Sequence, residues 1–149
     1  MRKPGHILFL CTANYYRSRF AELYFNFLAE GAGLEERADS AGLEMQRWRF
    51  YNPGDLSPYT IKELSILGVD LPEVPREPKQ FELKMLDQFD QCTALSEKEH
   101  RPMVERMYPN QVARFGYWTV EDVGIEPIEE ALGRIQKNVQ LLIDELQRG

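Results

Sequence analysis

Apolar and polar residues follow one another along the chain in blocks that predict strands alternating with helices. Residues 7–11 form a continuous apolar run, which is typical of a central strand in a parallel sheet. Residues 17–30 then repeat apolar positions at helical spacing, and Gly31 with Gly33 marks the end of this helix. The positions that recur on its apolar face are Phe20, Tyr24, Phe27 and Leu28.

Three weaker runs complete the predicted sheet. Residues 37–41, 89–95 and 112–115 predict the second, third and fourth strands. Because predicted strands alternate with predicted helices, we expect an α/β protein. The expected architecture is a three-layer sandwich, with a four-stranded parallel sheet between helices on both faces.

Capping residues predict where two further helices begin, and an apolar stripe predicts a third. Ser57 followed by Pro58 predicts a helix that ends at Gly68. Ser96 and Glu99 form a capping-box pattern before another helix. The inner face of the first of these helices is predicted to hold Ile61, Leu64 and Leu67. The last helix of the chain is predicted from the stripe Ile128, Leu132, Ile135, Val139, Leu142 and Leu146.

The remaining segments are predicted as connections. Residues 48–58 contain Asn-Pro-Gly and predict a loop. Residues 75–84 predict a solvated connection, and residues 81–86 a short helix.

Composition narrows the class of protein. The chain has 149 residues, 43% hydrophobic and 28% charged, so we expect a single domain over 1–149 with a proper core. A net charge of −6 argues against a general nucleic-acid binder. No apolar stretch approaches the roughly 20 residues of a membrane span. The apolar part of residues 1–12 is too short for a signal peptide, so we expect a cytoplasmic protein.

The cysteines and histidines do not have the spacing of a metal site. Cys11 and Cys92 lie far apart, and the histidines are His6 and His100. We therefore expect no metal. Cys92 lies in an apolar stretch and is predicted to be a buried hydrophobe, whereas His100 lies among charged residues and is predicted to be at the surface.

Cys11 is the candidate for chemistry, because it lies where the first strand ends. In open α/β sheets, ligands bind at this edge. Residues 12–17 lead from it into a helix N-terminus, where backbone N–H groups lack internal partners and favour anions. Arg17 adds a planar fork that can hold two phosphate oxygens. The same positive groups favour the thiolate of Cys11, and the Ser18 hydroxyl could donate to the sulfur.

Residues 11–18, CTANYYRS, resemble the C-x-x-N-x-x-R-S signature of low-molecular-weight protein tyrosine phosphatases. Thioredoxin-coupled arsenate reductases share this signature and the fold of these phosphatases. The resemblance continues in Ala21-Glu22, in Ser40-Ala41-Gly42, in the segment 61–70 and in Glu121-Asp122. It thus extends over nearly the whole chain and implies the fold of that phosphatase family.

The resemblance implies a role for each residue of the loop. Cys11 would attack phosphorus to form a phosphocysteine, with Ser18 beside it. Asn14 would hold the loop in a left-handed conformation, and Ser40 would bond to Asn14. The residues whose backbone N–H groups would bind the phosphate oxygens, together with the Arg17 side chain, are Thr12, Ala13, Asn14, Tyr15, Tyr16 and Arg17.

The resemblance also implies a general acid and an aromatic wall. Asp122 would protonate the leaving phenol and later take a proton from water. Its neighbours Glu121 and Glu126 are alternatives for this role. Trp48 and Tyr15 would line the substrate, with Phe50 or Tyr51 as further candidates. The implied substrate is a phosphotyrosine protein or a small aryl phosphate, with no cofactor.

Four positions depart from the family pattern. Ala13 replaces a glycine, and Tyr16 replaces a second cysteine that protects the first by forming a disulfide. Val123-Gly124 follows Asp122 where the family has proline and aromatic residues. No histidine follows the segment 61–70; Val74 lies near that position.

Three alternatives remain open at this stage. A thioredoxin-coupled arsenate reductase would relay electrons through two more cysteines, but residues 92–102 contain one. An arsenate reductase that uses another reductant, such as glutathione, stays open. A binding module could hold a phosphorylated ligand without hydrolysing it. An unrelated flavodoxin-like protein would require the Cys-Asn-Arg-Ser spacing to arise by chance.

Overall fold

A four-stranded parallel sheet with the strand order β2-β1-β3-β4 forms the centre of the molecule. The computed structural model describes residues 5–149, so the first four residues of the N-terminal segment lie outside it. The strands are β1, Gly5–Cys11; β2, Ala38–Gly42; β3, Phe89–Ala94; and β4, Gly116–Tyr117. The α-helices are α1, Arg17–Gly31; α2, Met45–Trp48; α3, Pro58–Ile66; α4, Glu97–Met107; and α5, Ile128–Arg148.

Both faces of β1 are buried, as expected of a central parallel strand. Ile7 and Phe9 point to one side and pack in a cluster with residues of α1 and α5. Leu8 and Leu10 point to the other side and pack with Val104 of α4. Burying one such side chain contributes about 1.5–3 kcal/mol. This arrangement confirms the predicted α/β sandwich with helices on both faces.

The carboxyl ends of the three longer strands meet at one edge of the sheet. Cys11 pairs in register with Gly42, and Leu10 pairs with Ala94. The segments that follow β1, β2 and β3 therefore start side by side. This is the edge at which the sequence predicts a binding site.

The fourth strand lies elsewhere than predicted. Residues 112–115 were expected to form a strand, but residues 112–114 belong to a 3₁₀ helix over Pro109–Arg114, and only Phe115 has an extended backbone. Proline at the start of this segment favours a helical first turn. The true fourth strand is two residues long and pairs only with Thr93 and Ala94. Such a short strand at the sheet edge has too little apolar pattern to be recognised.

One predicted loop and two predicted helix faces also need correction. The predicted loop 48–58 begins instead with the end of α2 and a 3₁₀ turn over Arg49–Tyr51. On α3, Leu64 is fully buried as predicted, but Ile61 is 38% exposed. Phe27 on α1 is likewise 38% exposed, so these two residues lie outside the faces predicted for them. The predicted start of α3 is confirmed, because the Ser57 hydroxyl oxygen accepts from the Tyr59 N–H.

Candidate active site

The loop between β1 and α1 curls tightly over the end of β2. Asn14 has φ = 54°, which confirms the predicted left-handed conformation. Gly42 allows the close approach: a Cβ atom there would lie 2.8 Å from the Thr12 carbonyl oxygen and 2.9 Å from the Asn14 nitrogen. A side chain at position 42 would therefore push the loop away from the sheet.

Asn14 is fully buried and bonded at both ends of its amide. Its Nδ2 donates to Ser40 Oγ at 2.8 Å and to Ser18 Oγ at 2.9 Å. Its Oδ1 accepts from the Lys79 backbone N–H at 3.0 Å and from the Arg76 guanidinium at 3.1 Å. The predicted contact between Asn14 and Ser40 is confirmed, and four hydrogen bonds hold the loop in place.

Arg76 is a supporting residue that the sequence analysis missed. Its guanidinium bonds to Asn14, to the Glu22 carboxylate at 2.7 Å and to the Ser40 hydroxyl at 2.9 Å. The segment 75–84 is therefore not a simple solvated connection, as had been expected. Nothing in the local pattern distinguishes Arg76 from a surface arginine, because its partners come from α1, β2 and the loop.

Cys11 lies at the bottom of this loop and is 3% exposed. Its Sγ is 3.0 Å from Ser18 Oγ, which confirms the predicted contact. Because Ser18 Oγ already accepts from Asn14, its own proton is available to donate to the sulfur as thiolate. Within the described residues 5–149, the backbone N–H groups of residues 12–16 have no protein acceptor, so they remain available to an anion.

Arg17 is 2% exposed and is held at two sides of its guanidinium. Nη1 donates to the Val120 carbonyl and Nη2 donates to Glu99 Oε2, both at 2.9 Å. Asp122 Oδ2 is 3.8 Å from the same Nη2. Burial alone would lower the pKa of Arg17, but the charges of Cys11, Glu99 and Asp122 outweigh it and raise that pKa. The guanidinium therefore stays positive beside the sulfur.

An open pocket of about 500 Å³ lies over Cys11 and Arg17. Tyr15, Trp48 and Asp122 line it, as do Thr12, Ala13 and Tyr16. Trp48 is 38% exposed and does not belong to the buried core, which favours the wall role predicted for it. Phe50 and Tyr51, the alternatives, are 94% and 72% exposed and are not among the residues that line the pocket.

The three acidic residues after β4 have different surroundings. Glu121 accepts from Ser96 Oγ at 2.8 Å, and Glu126 pairs with Arg134 at 2.6 Å. Asp122 has a side chain that is 48% exposed, and it is the one of the three that lines the pocket. Its position therefore suits proton transfer to a bound molecule better than the positions of its neighbours.

Tyr16, at the position of the family's second cysteine, is 6% exposed. Its hydroxyl has no hydrogen-bond partner within the described part of the chain. Burial, with a smaller contribution from Asp122, raises the pKa of Tyr16 to about 12. The phenol therefore stays protonated at neutral pH.

The first turn of α4 holds two residues that the sequence analysis placed wrongly or missed. His100 is fully buried, so the prediction of a surface histidine is wrong. Glu99 lines the pocket and contacts Arg17, although the sequence analysis considered it only as a capping residue. Cys92 behaves as predicted, since it is 4% exposed and packs in the core.

Two further searches of the described residues, 5–149, concern metals and membranes. No group of three or more His, Cys, Asp or Glu side chains in this range is placed to hold a metal ion. In the same range, no helix combines the length and the apolar composition needed to cross a membrane.

Comparison with known proteins decides the family. The sequence profile of the low molecular weight phosphotyrosine protein phosphatases matches residues 6–148. The chain belongs to this family. It is accordingly a cysteine-dependent phosphatase of the protein tyrosine phosphatase class. No curated protein sequence matches it significantly.

Solved structures share the fold at low sequence identity. YfkJ from Bacillus subtilis is 24% identical, with a TM-score of 0.79 over 97% of this chain and 95% of that one. A low molecular weight protein tyrosine phosphatase from T. tengcongensis is 22% identical, with a TM-score of 0.74 over 95% and 99% of the two chains. The YwlE arginine phosphatase is 18% identical, with a TM-score of 0.75 over 95% of each chain.

Proposed function

We propose that this phosphatase hydrolyses phosphotyrosine, on proteins or as a similar small aryl phosphate, through a phosphocysteine on Cys11. One observation carries the proposal: a single pocket brings together the Cys11 sulfur, the Arg17 guanidinium and the Asp122 carboxylate. These are a nucleophile, an anion-binding group and a proton donor. Two aromatic side chains, Tyr15 and Trp48, line the same pocket and could contact a phenol ring.

In the first step the thiolate of Cys11 attacks phosphorus and forms an S–P bond while the aryl P–O bond breaks. Asp122, protonated at this stage, gives its proton to the departing phenolate oxygen. A phenol has a pKa near 10, so the phenolate departs slowly at neutral pH unless it receives that proton. Backbone N–H groups of residues 12–17 and the Arg17 side chain bind the three outer oxygens of phosphorus.

In the second step water attacks phosphorus, and the S–P bond breaks to release phosphate and the thiolate. Asp122, now ionised, takes the proton that the water loses. Ser18 donates to the sulfur as it leaves, which stabilises the thiolate product. The enzyme then returns to its starting state without a cofactor, an oxidant or a reductant.

Two further points belong to the proposal. A reducing compartment such as the cytoplasm would keep Cys11 in its reactive form, because Tyr16 replaces the protective second cysteine. Arsenate reduction is the less favoured chemistry, since Cys92 is 4% exposed, packs in the core and pairs in register with Leu8 rather than with Cys11. A relay would require that sulfur to reach the pocket.

The test compares wild type with Cys11→Ser and Asp122→Asn on para-nitrophenyl phosphate and on phenyl phosphate. We expect Cys11→Ser to abolish turnover. Asp122→Asn should lower the rate on phenyl phosphate by about 10²–10⁴-fold, the usual contribution of a general acid. The decrease in the rate of P–O bond breaking should be smaller on para-nitrophenyl phosphate, because para-nitrophenol is more acidic than phenol and leaves more easily.

Glu121→Gln is the matched control, because it removes a carboxylate one residue away that bonds to Ser96 instead of facing the pocket. If Glu121→Gln caused the larger loss on phenyl phosphate, the acid would be misassigned. Turnover that survived Cys11→Ser would contradict the covalent mechanism. An inactive wild type that still bound phosphate would favour a binding module.

A further inference from the structure

The first turn of α4 faces the phosphate loop, and the mechanism above uses neither Glu99 nor His100. The sequence pattern of Ser96 and Glu99 predicts a capping box, in which each side chain accepts from the backbone N–H of the other residue. Half of it forms: Ser96 Oγ accepts from the Glu99 N–H at 3.1 Å. The other half does not, since the Ser96 N–H donates to His100 Nδ1 at 3.0 Å.

Because the Ser96 N–H donates to His100 instead of to Glu99, the Glu99 carboxylate is available for another contact. Its Oε2 accepts from Arg17 Nη2 at 2.9 Å and from the Thr12 hydroxyl. Residues 12 and 17 are the two ends of the segment that would wrap the phosphate. A carboxylate that would ordinarily cap its own helix therefore ties both ends of the phosphate loop to α4.

His100 supports this arrangement from the buried side. Because Nδ1 accepts from Ser96, the ring proton of neutral His100 is on Nε2. Nε2 lies 3.1 Å from Thr12 Oγ1 and 3.2 Å from Glu99 Oε2, so it can donate to either atom. Burial lowers the pKa of His100 and outweighs the opposing effect of Glu99, which keeps the ring neutral at pH 7.

Glu99 stays ionised in these surroundings. Burial alone would raise the pKa of Glu99, but the contacts with His100 and Arg17 hold it well below the usual range. Its charge therefore remains opposite Arg17 throughout the neutral pH range. A neutral partner would orient the guanidinium through one hydrogen bond without this electrostatic attraction.

The contacts of Arg17 leave room for phosphate. A guanidinium has five N–H donors in one plane. One goes to Val120 and one to Glu99, which leaves three for an anion. Since these two partners lie on different segments, they fix the plane of the group before substrate arrives.

We infer that Glu99 and His100 are positioning residues of this phosphatase: His100 and Thr12 hold the Glu99 carboxylate, which in turn orients Arg17 toward the phosphoryl group. The inference rests on the proposed function, since it assigns Arg17 to the phosphate oxygens. The charge of Glu99 distinguishes orientation of Arg17 from direct attraction of the substrate. Glu99 is negative, so by its charge alone it repels an anionic substrate.

Glu99→Gln tests this assignment, because it keeps the shape of the side chain and removes the charge. We expect kcat on para-nitrophenyl phosphate to fall about tenfold or more, since misplacing a binding group can cost up to about 10²-fold. The inhibition constant for inorganic phosphate should stay within about threefold of wild type or decrease. Glu97→Gln is the control, because Glu97 starts the same helix but pairs with Arg101 at 3.1 Å.

His100→Gln and His100→Asn separate the two nitrogens of the ring. Glutamine places an amide N–H donor near the position of Nε2, whereas asparagine places an acceptor near the position of Nδ1. We expect kcat to be at least about threefold higher in His100→Gln than in His100→Asn, because the donor toward Glu99 and Thr12 matters for catalysis. A role in capping or packing alone would give the reverse order or no difference.

Each outcome has a separate meaning. An inactive wild type would reject the proposed function without testing the role of Glu99. An active wild type with unchanged kcat in Glu99→Gln would overturn the inference, as would a lower kcat matched by an equal loss of phosphate binding. Urea unfolding of each variant accompanies the kinetics, and Glu99→Gln is the decisive variant because its side chain is partly exposed and tolerates the change.

Discussion

The floor and the rim of the pocket differ in how deeply their side chains are buried and in how strongly hydrogen bonds constrain them. On the floor, formed by Cys11, Asn14, Arg17 and Ser18, every residue is at most 3% exposed. On the rim, formed by Trp48, Asp122, Val123 and Ile125, exposure reaches 67% at Ile125. The floor is thus fixed by buried hydrogen bonds, whereas the rim has few constraints. We conclude that the floor holds the nucleophile and the anion-binding groups, whereas the rim, apart from Asp122, can vary with the substrate.

The difference follows from the cost of burial. A buried polar group without a partner costs about 1–3 kcal/mol, so Asn14 and Arg17 are stable only inside a complete network. Exposed side chains such as Trp48 bear no such requirement, since water replaces any partner they lose. Changes on the floor should therefore affect both folding and activity, whereas changes to the rim residues Trp48, Val123 and Ile125 should mainly affect substrate binding.

The largest effect is expected for Asn14→Ala. It removes four hydrogen bonds and places alanine at a left-handed position, which alone costs about 1–2 kcal/mol. We predict a decrease of about 2–4 kcal/mol in the free energy of unfolding. We also predict a loss of at least about 100-fold in kcat/KM, because the loop loses its shape. Urea denaturation and steady-state kinetics measure the two quantities.

Asn110→Ala provides the control, because it deletes the same amide at an exposed position. Asn14→Gly sharpens the result further, since glycine accepts the left-handed conformation but restores none of the hydrogen bonds. Full activity in Asn14→Gly would show that backbone conformation alone shapes the floor, and the network would then be unnecessary.

The smallest effect is expected for Trp48→Ala on the rim. Removing an aromatic contact with the substrate ring should raise KM for para-nitrophenyl phosphate about three- to tenfold, with kcat within about threefold of wild type. Phe50→Ala is the matched control, because Phe50 is 94% exposed and does not line the pocket. Equal effects of the two variants would remove Trp48 from the substrate wall.

The strand, loop and helix at the start of the chain could be predicted because each has a local signal. An unbroken apolar run marks β1, and helical spacing marks α1. The cysteine and the arginine that define the site are the last residue of β1 and the first residue of α1. Asn14 and Ser40 were paired by resemblance, and the structure confirms their contact at 2.8 Å.

Arg76, Glu99 and His100 could not be placed in the same way. Their partners come from other segments, so no local spacing reveals them. Ser96 and Glu99 match the capping-box pattern, yet the competing donor–acceptor pair of Ser96 and His100 changes the outcome. Charged neighbours of His100 indicated a surface residue, and Glu97 and Arg101 are indeed exposed, but His100 itself is fully buried. The strand β4 escaped prediction because two residues carry no periodicity.

The most direct test of the central claim is mass spectrometry of the Asp122→Asn variant, quenched with acid during turnover of para-nitrophenyl phosphate. Loss of the base should slow hydrolysis of the intermediate, so a phosphoryl group should accumulate and peptide mapping should place it on Cys11. Wild type treated identically should carry less of it. A protein that releases para-nitrophenol while Cys11 stays unmodified, or that carries the phosphoryl group on another residue, would contradict the account.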